Sequence, residues 1–224
     1  MLSRFFQRRA VWWPTRPGWI ALALAGIAPF TAWFLWGEAF LSATPAVPAD
    51  ALIVEAWIGV DGIRAAKEEF QRGHYRYLVT AGASNDSRWD GGRWNYAEKA
   101  QEVLLGLGMP AEQVVSAPAP DTNRQRTFTS AAAVRAELAR RNIHLASANV
   151  FTLGAHARRS RLVFAKVFPD AKVGAIAWQS ASHQRGPWWQ SSERAIDLLK
   201  ESAGYLYELL LNSGRWSNAR PPAG

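Results

Sequence analysis

The chain has 224 residues, with 26 Lys and Arg against 18 Asp and Glu, a formal charge of +8 and no cysteine. A disulfide framework, a thiol nucleophile and a zinc site built on thiolates are thereby excluded. The arginines at positions 4, 8, 9 and 16 supply four of the surplus charges, so the rest of the chain is only modestly basic and makes no case for nucleic acid.

The first predicted element is Gly18 to Trp36, GWIALALAGIAPFTAWFLW, which contains no charged residue. As a helix it spans roughly 28 Å, close to the hydrocarbon thickness of a bilayer. The four arginines precede it without an acidic neighbour and Glu38 is the first charge after it, so the positive-inside rule places the N-terminus in the cytoplasm. Tryptophans at 12, 13, 19, 33 and 36 fall where amphipathic rings favour the two membrane interfaces. Membrane helices tolerate a proline such as Pro29. The alternative, a cleaved signal peptide, has an apolar core of about 7 to 15 residues and a small-x-small cleavage site, to which Ser42-Ala-Thr-Pro-Ala-Val-Pro48 is a poor match. The expected organisation is a cytoplasmic basic segment (1–17), a single-pass anchor in the inner membrane (18–41), a stiff Pro-rich linker (42–49), a periplasmic domain (50–214) and a flexible tail (215–224).

Within the domain, apolar runs at Asp50–Glu55, Tyr75–Ala81, Gln113–Ala117, Asn149–Leu153 and Lys172–Trp178 alternate with helical patterns at Val60–Arg72, Trp94–Leu107, Thr127–Arg141 and His156–Phe168. Five apolar strands separated by helices predict an α/β fold. The expected form is a Rossmann-like, doubly wound parallel sheet in the order 3-2-1-4-5, with ligands bound where the first and fourth strands meet. Glu55-Ala-Trp57 should then face Gly154-Ala-His156, with Gly82-Ala-Ser84 and Arg126-Thr127 on the same rim. For Glu55 the other reading is a surface carboxylate on a loop. About 175 residues beyond the linker suffice for one core without staples. His74, His144, His156 and His183 lack metal-ligand spacing, so no metal is expected.

The segment from Thr152 to Arg161, TLGAHARRSR, passes from an apolar run through Gly154 into a cation-rich helix start. The first turn of a helix favours anions, and arginine's fork suits phosphate or carboxylate. The other reading of Arg158, Arg159 and Arg161 is a solvated helix face. His156 and Arg159 are expected at the crevice mouth, where alanine should cost little stability, and Arg158 is expected to face solvent.

Asp50, Arg64, Thr80-Ala-Gly82, Gly108-Met-Pro110, Thr127-Phe-Thr-Ser130-Ala131, and Thr152 through His156 to Arg159 follow one another in a set order and spacing. That order resembles the YdcF-like domain-of-unknown-function family of SanA/ElyC-like envelope proteins. The chain departs from the family in having Glu55-Ala-Trp57 where two glycines are common and Ser130 where asparagine is usual. The resemblance implies a Rossmann-like fold and a role in cell-envelope biogenesis, in peptidoglycan, its lipid carrier or surface polysaccharide. Some relatives bind S-adenosylmethionine, but no GxGxxG turn follows the first strand here and the domain is expected outside the cytoplasm, so no cofactor is expected.

Two functions fit the sequence. One is an enzyme acting on a phosphate-bearing lipid-linked or glycan intermediate. There His156 would be the general acid or base, oriented by Glu55. Arg159, Arg126, Thr127, Arg64, Gly82, Ser84, Thr152 and Gly154 would form the anion and substrate site. The other is a non-catalytic anion- or glycan-binding or scaffold protein using the same pocket. No GxSxG elbow is present, which disfavours an acyl-serine hydrolase. The Trp188–Glu193 segment and the helix after it have two readings, a subgroup feature or aromatic packing of the last helix onto the sheet.

Overall fold

A computed structural model describes residues 13–86, 93–122, 124–180 and 186–211. The early arginines and Trp12, on which part of the expected orientation rests, lie outside these residues, as do His183 and the expected tail. Two compact units divide at Gly37 and Glu38.

The first unit holds most of α1, Arg16–Ser42, a helix long and apolar enough to cross a membrane. Its apolar side chains, among them Ile20, Leu24, Ile27 and Phe30, are exposed on all sides. A helix that is hydrophobic all round needs a surrounding apolar medium.

The second unit is built on a five-stranded, all-parallel sheet of β1 (Ala51–Glu55), β2 (Tyr77–Gly82), β5 (Val114–Pro118), β6 (Ser147–Leu153) and β7 (Lys172–Trp178), in the order β5-β2-β1-β6-β7. Two short antiparallel strands, β3 (Ser84–Asp86) and β4 (Arg93–Asn95), form a separate hairpin. Sequence did not foretell this hairpin, because it has no alternating apolar pattern, and it corrects the expected numbering 3-2-1-4-5. The run at 50–55 pairs with those at 75–81 and 149–153. The helices are α2 (Gly59–Gly73), α3 (Tyr96–Gly106), α4 (Arg126–Arg140), α5 (Ala157–Val167) and α6 (Ser192–Leu210). Helix α3 starts at Tyr96, not Trp94, where Asn95 caps it by accepting from the Ala97 N–H.

Both faces of the sheet are covered, which is why its strands read as continuous apolar runs. Along β1, Ala51 and Ile53 join one core with Phe128, Val134, Leu138, Val163 and Phe164 of α4 and α5. Leu52 and Val54 join the other with Ile63, Phe70 and Leu104 of α2 and α3. Strand alternation thus commits successive residues to opposite layers.

Asp50 ties β1 to β6. Its Oδ2 accepts from the Ala146 and Ser147 N–H groups, each at 3.0 Å, and from the Ser147 hydroxyl at 3.2 Å. Asp50→Ala removes the partner of one exposed and one half-buried backbone N–H and is expected to cost about 0.5–1.5 kcal/mol, read by urea unfolding. A loss below about half a kcal/mol, typical of an ordinary surface change, would refute this clamp.

Residues 38–49, which include the expected linker at 42–49, fall within the globular unit. Asn149 is buried in β6, donates to the Val47 carbonyl at 2.7 Å and accepts from the Val47 N–H at 2.9 Å. The Thr44 hydroxyl donates to the Ala175 carbonyl of β7 at 3.1 Å. Gly174 is required here, since a Cβ would run into Asn149 and the Pro45 carbonyl. The segment is stiff because the sheet holds it, in addition to its prolines.

Candidate functional site

A cleft of about 840 Å³ opens beyond the carboxyl ends of β1 and β2 and the turn after β6, with walls from the starts of α3 and α4 and from α6. It is where open α/β sheets place ligands. Glu55 and His156 meet there, as expected: Nε2 of the imidazole lies 3.3 Å from Glu55 Oε2. Glu55 ends β1 just before the 3-10 turn Ala56–Ile58, whereas His156 closes the 3-10 turn Gly154–His156 after β6, and Gly154 supplies the positive φ of 40° that starts this second turn.

The site's largest addition is Glu201 of α6, which sequence reading did not foresee. Its Oε2 lies 3.0 Å from His156 Nδ1 and accepts from Arg159 Nε at 2.6 Å, while Oε1 accepts from Arg159 Nη2 at 3.2 Å. Arg159 Nη1 donates to the Thr127 hydroxyl at 3.2 Å, and the Ser160 hydroxyl donates to Glu55 Oε2 at 2.6 Å. Two carboxylates and two cations therefore form one neutral buried network, with Glu201 only 3% and His156 only 7% exposed. Gly204 of α6 makes room for Arg159, because a Cβ there would collide with its side chain. No local pattern announces Glu201; its partners lie more than forty residues earlier in the chain.

The network fixes its own protonation. Burial disfavours charge on His156, but Glu55 and Glu201 on either side outweigh burial and push its pKa up to about 9. Burial likewise opposes ionisation of Glu201, yet His156 and Arg159 hold its pKa down to about 2. Glu55 is also lowered: burial is overcome by the His156 charge and the Ser160 hydroxyl. The imidazole thus sits between two carboxylates that favour its protonated, proton-donating form, while its Nδ1 also lies 3.0 Å from Arg159 Nη2, a contact in which it would act as acceptor.

His156 and Arg159 both line the cleft, but they are also members of a largely buried charge network, so their alanine variants should lose stability. Nor does Arg158 face solvent freely. It donates to the Phe40 and Ala43 carbonyls at 2.6 Å each and lies 3.9 Å from the Phe40 ring centroid. Arg161 donates to the Val173 carbonyl at 3.0 Å. All three arginines of α5 serve the protein's own acceptors.

Of the other expected residues, Arg126, Thr127 and Gly82 line the cleft. Gly82 does so because a Cβ would strike Tyr96 at the start of α3. Thr152 is fully buried in β6, and Gly154 lines a separate small recess with Glu38 and Arg194. Ser84 lies on β3, paired with Asn95, outside the cleft lining. Arg64 is exposed on α2, pairs with Asp61 at 3.2 Å and does not reach the cleft. Sequence missed Arg124, Lys200, Tyr96 and Tyr207 in the walls. Trp57 stands edge-on to His156, ring centroids 5.2 Å apart, and half-covers it.

The cleft's unneutralised charge comes from Arg124, Arg126 and Lys200. No described carboxylate pairs with either arginine, and Lys200 reaches Glu201 only at 3.9 Å. The adjoining start of α4 has no side-chain cap, so its dipole adds to the positive wall. Among the described residues no His, Asp and Glu grouping could hold a metal ion. No family model, curated protein or solved structure matches the chain, so its chemistry must be argued from this cleft.

Proposed function

We propose that this protein is a membrane-anchored, Rossmann-like domain on the periplasmic side of the inner membrane. Its cleft binds an anionic, phosphate-bearing lipid-linked or glycan intermediate of cell-envelope biogenesis, as the YdcF-like resemblance implies. The observation that carries this reading is the positive wall of Arg124, Arg126 and Lys200 beside an uncapped helix start, set against a network that is already neutral. The ligand supplies the missing negative charge. A reaction in the cleft would use His156 as a proton donor and Arg159 as fixed positive charge.

One observation favours the non-catalytic alternative. The hydroxyl paired with a carboxylate base is that of Ser160, which is fully buried and does not line the cleft. The serine and threonine hydroxyls that do line it, those of Thr127 and Ser130, are not paired with a base. A binding or positioning protein needs no such pair.

Titration calorimetry of the full-length protein in detergent with inorganic pyrophosphate tests the anion site. Arg126→Ala is expected to weaken binding by roughly tenfold to a hundredfold, the loss of about 1.5–3 kcal/mol for a charged hydrogen bond. Arg64→Ala, remote on α2, should leave it unchanged. Absence of pyrophosphate binding, or equal losses in both variants, would overturn the assignment.

A further inference from the structure

The cleft is larger than an inorganic anion requires. At about 840 Å³ it falls in the range of roughly 300–1,000 Å³ that encloses an organic ligand, so the positive wall engages only part of what fills it. The other walls indicate the rest. Among the described residues that line the cleft there is no Leu, Ile, Val, Met or Phe. Apart from Ala83 and two glycines, the apolar surface comes from Trp57, Tyr96 and Tyr207. A prenyl chain gains its burial from continuous aliphatic lining, which these walls do not supply. Separate aromatic rings among polar side chains suit a compact ring instead.

The rings are ordered before any ligand arrives. Trp57 stands at 88° to the His156 ring, and Tyr96 is braced edge-on by Trp94 with centroids 4.6 Å apart. Trp57 and Tyr207 nonetheless keep 38% and 44% of their surface exposed, so both have area left to give a ligand. Gln125, Thr127 and Ser130 line the same cleft. Their amide and hydroxyl groups both donate and accept, and the Thr127 hydroxyl, which accepts from Arg159, still has a proton to donate. The ligand groups that match such side chains are hydroxyls.

Helix α6 sets charge and ring side by side. Lys200, Gly204 and Tyr207 follow at intervals of four and three and all line the cleft, so they share one face of the helix. Lys200 and Tyr207 are two turns apart, about 10 Å along the axis, with the Arg159 side chain lying against Gly204 between them. That is the scale of a hexose with its phosphate.

We infer that the cleft seats a glycosyl phosphate. The phosphate lies against Arg124, Arg126 and Lys200, the apolar C–H face of the sugar packs on Tyr207, and its hydroxyls meet Gln125, Thr127 and Ser130. A lipid esterified to that phosphate would lie outside the cleft. This assignment rests on the anion reading of the cleft proposed above.

Titration calorimetry of the full-length protein in detergent would compare inorganic phosphate and pyrophosphate with the anomeric phosphates of glucose, galactose, mannose and N-acetylglucosamine. Dimethylallyl phosphate and uridine monophosphate complete the series as prenyl and nucleoside esters. At least one glycosyl phosphate is expected to bind roughly tenfold or more tightly than inorganic phosphate. Tyr207→Ala should shrink that preference to below about threefold, and Tyr207→Phe should retain it. Pyrophosphate binding with no preference for any glycosyl phosphate overturns the sugar seat and leaves the anion site standing. Absence of binding by pyrophosphate and by every glycosyl phosphate overturns both. An equal gain with dimethylallyl phosphate or uridine monophosphate overturns the sugar seat in favour of a prenyl or nucleoside ligand, and a preference that survives Tyr207→Ala overturns the ring site on α6.

Discussion

Glu201→Ala is expected to destabilise the globular unit by about 3–5 kcal/mol, the cost of breaking a buried ion pair from one side. The carboxylate separates two cations whose nearest nitrogens, His156 Nδ1 and Arg159 Nη2, are 3.0 Å apart. Without it they face each other in a site largely shut off from water. Arginine cannot release its proton, so His156 must release one, and its pKa should fall from about 9. Arg159 then keeps only the Thr127 hydroxyl and a neutral imidazole as partners. Against a total stability of about 5–15 kcal/mol for an ordinary domain, such a loss leaves little reserve, and the melting temperature should drop by roughly 10 °C or more. Calorimetry or circular dichroism would show it. A drop of one or two degrees would mean that water or another carboxylate already shares the load, and the neutral-network description would be wrong.

Alkaline pH should weaken the same structure without any mutation. The folded-state pKa of His156, about 9, lies above its ordinary value of 6.5. Its stabilising contribution is therefore complete below about pH 6.5 and is lost as pH rises through 9. At 1.36 kcal/mol per unit, the loss is about 3 kcal/mol. Glu201 works in the opposite direction: its folded pKa near 2 lies below the ordinary 4.5, so its contribution is complete above about pH 4.5 and is lost toward pH 2. Stability should therefore peak between about pH 5 and 6.5. Chemical denaturation across pH 4 to 10 gives the profile, and the His156 ring proton shift in NMR gives the titration directly. An imidazole titrating near 6.5, or an alkaline limb unchanged in His156→Gln, would show that the two carboxylates do not hold the proton.

Periodicity settled much of this molecule. The uncharged run at 18–36, the five strands and the helices between them were legible because side chains report their medium. A sheet covered on both faces demands unbroken apolar strands, and α1 is long and apolar enough to cross a membrane because its uncharged run is unbroken. The meeting of Glu55 with His156 followed from pairing β1 with β6, a matter of topology. What local pattern cannot encode is which groups neutralise each other across the fold. Arg159 read as a free anion ligand until α6 brought Glu201 to within 2.6 Å of it, and Arg158 read as solvated until the end of α1 lay beneath it. In both cases the partner lies tens of residues or more away in sequence, and a charge's role depends on its nearest countercharge, which only the packed chain decides. The polarity of α6 follows the same rule. Its leucines and glutamates were visible from the start, but an amphipathic helix does not state which of its faces is turned inward. Here the carboxylates turn in because His156, Arg159 and Lys166 await them, and that choice leaves every leucine of α6 but Leu198 exposed.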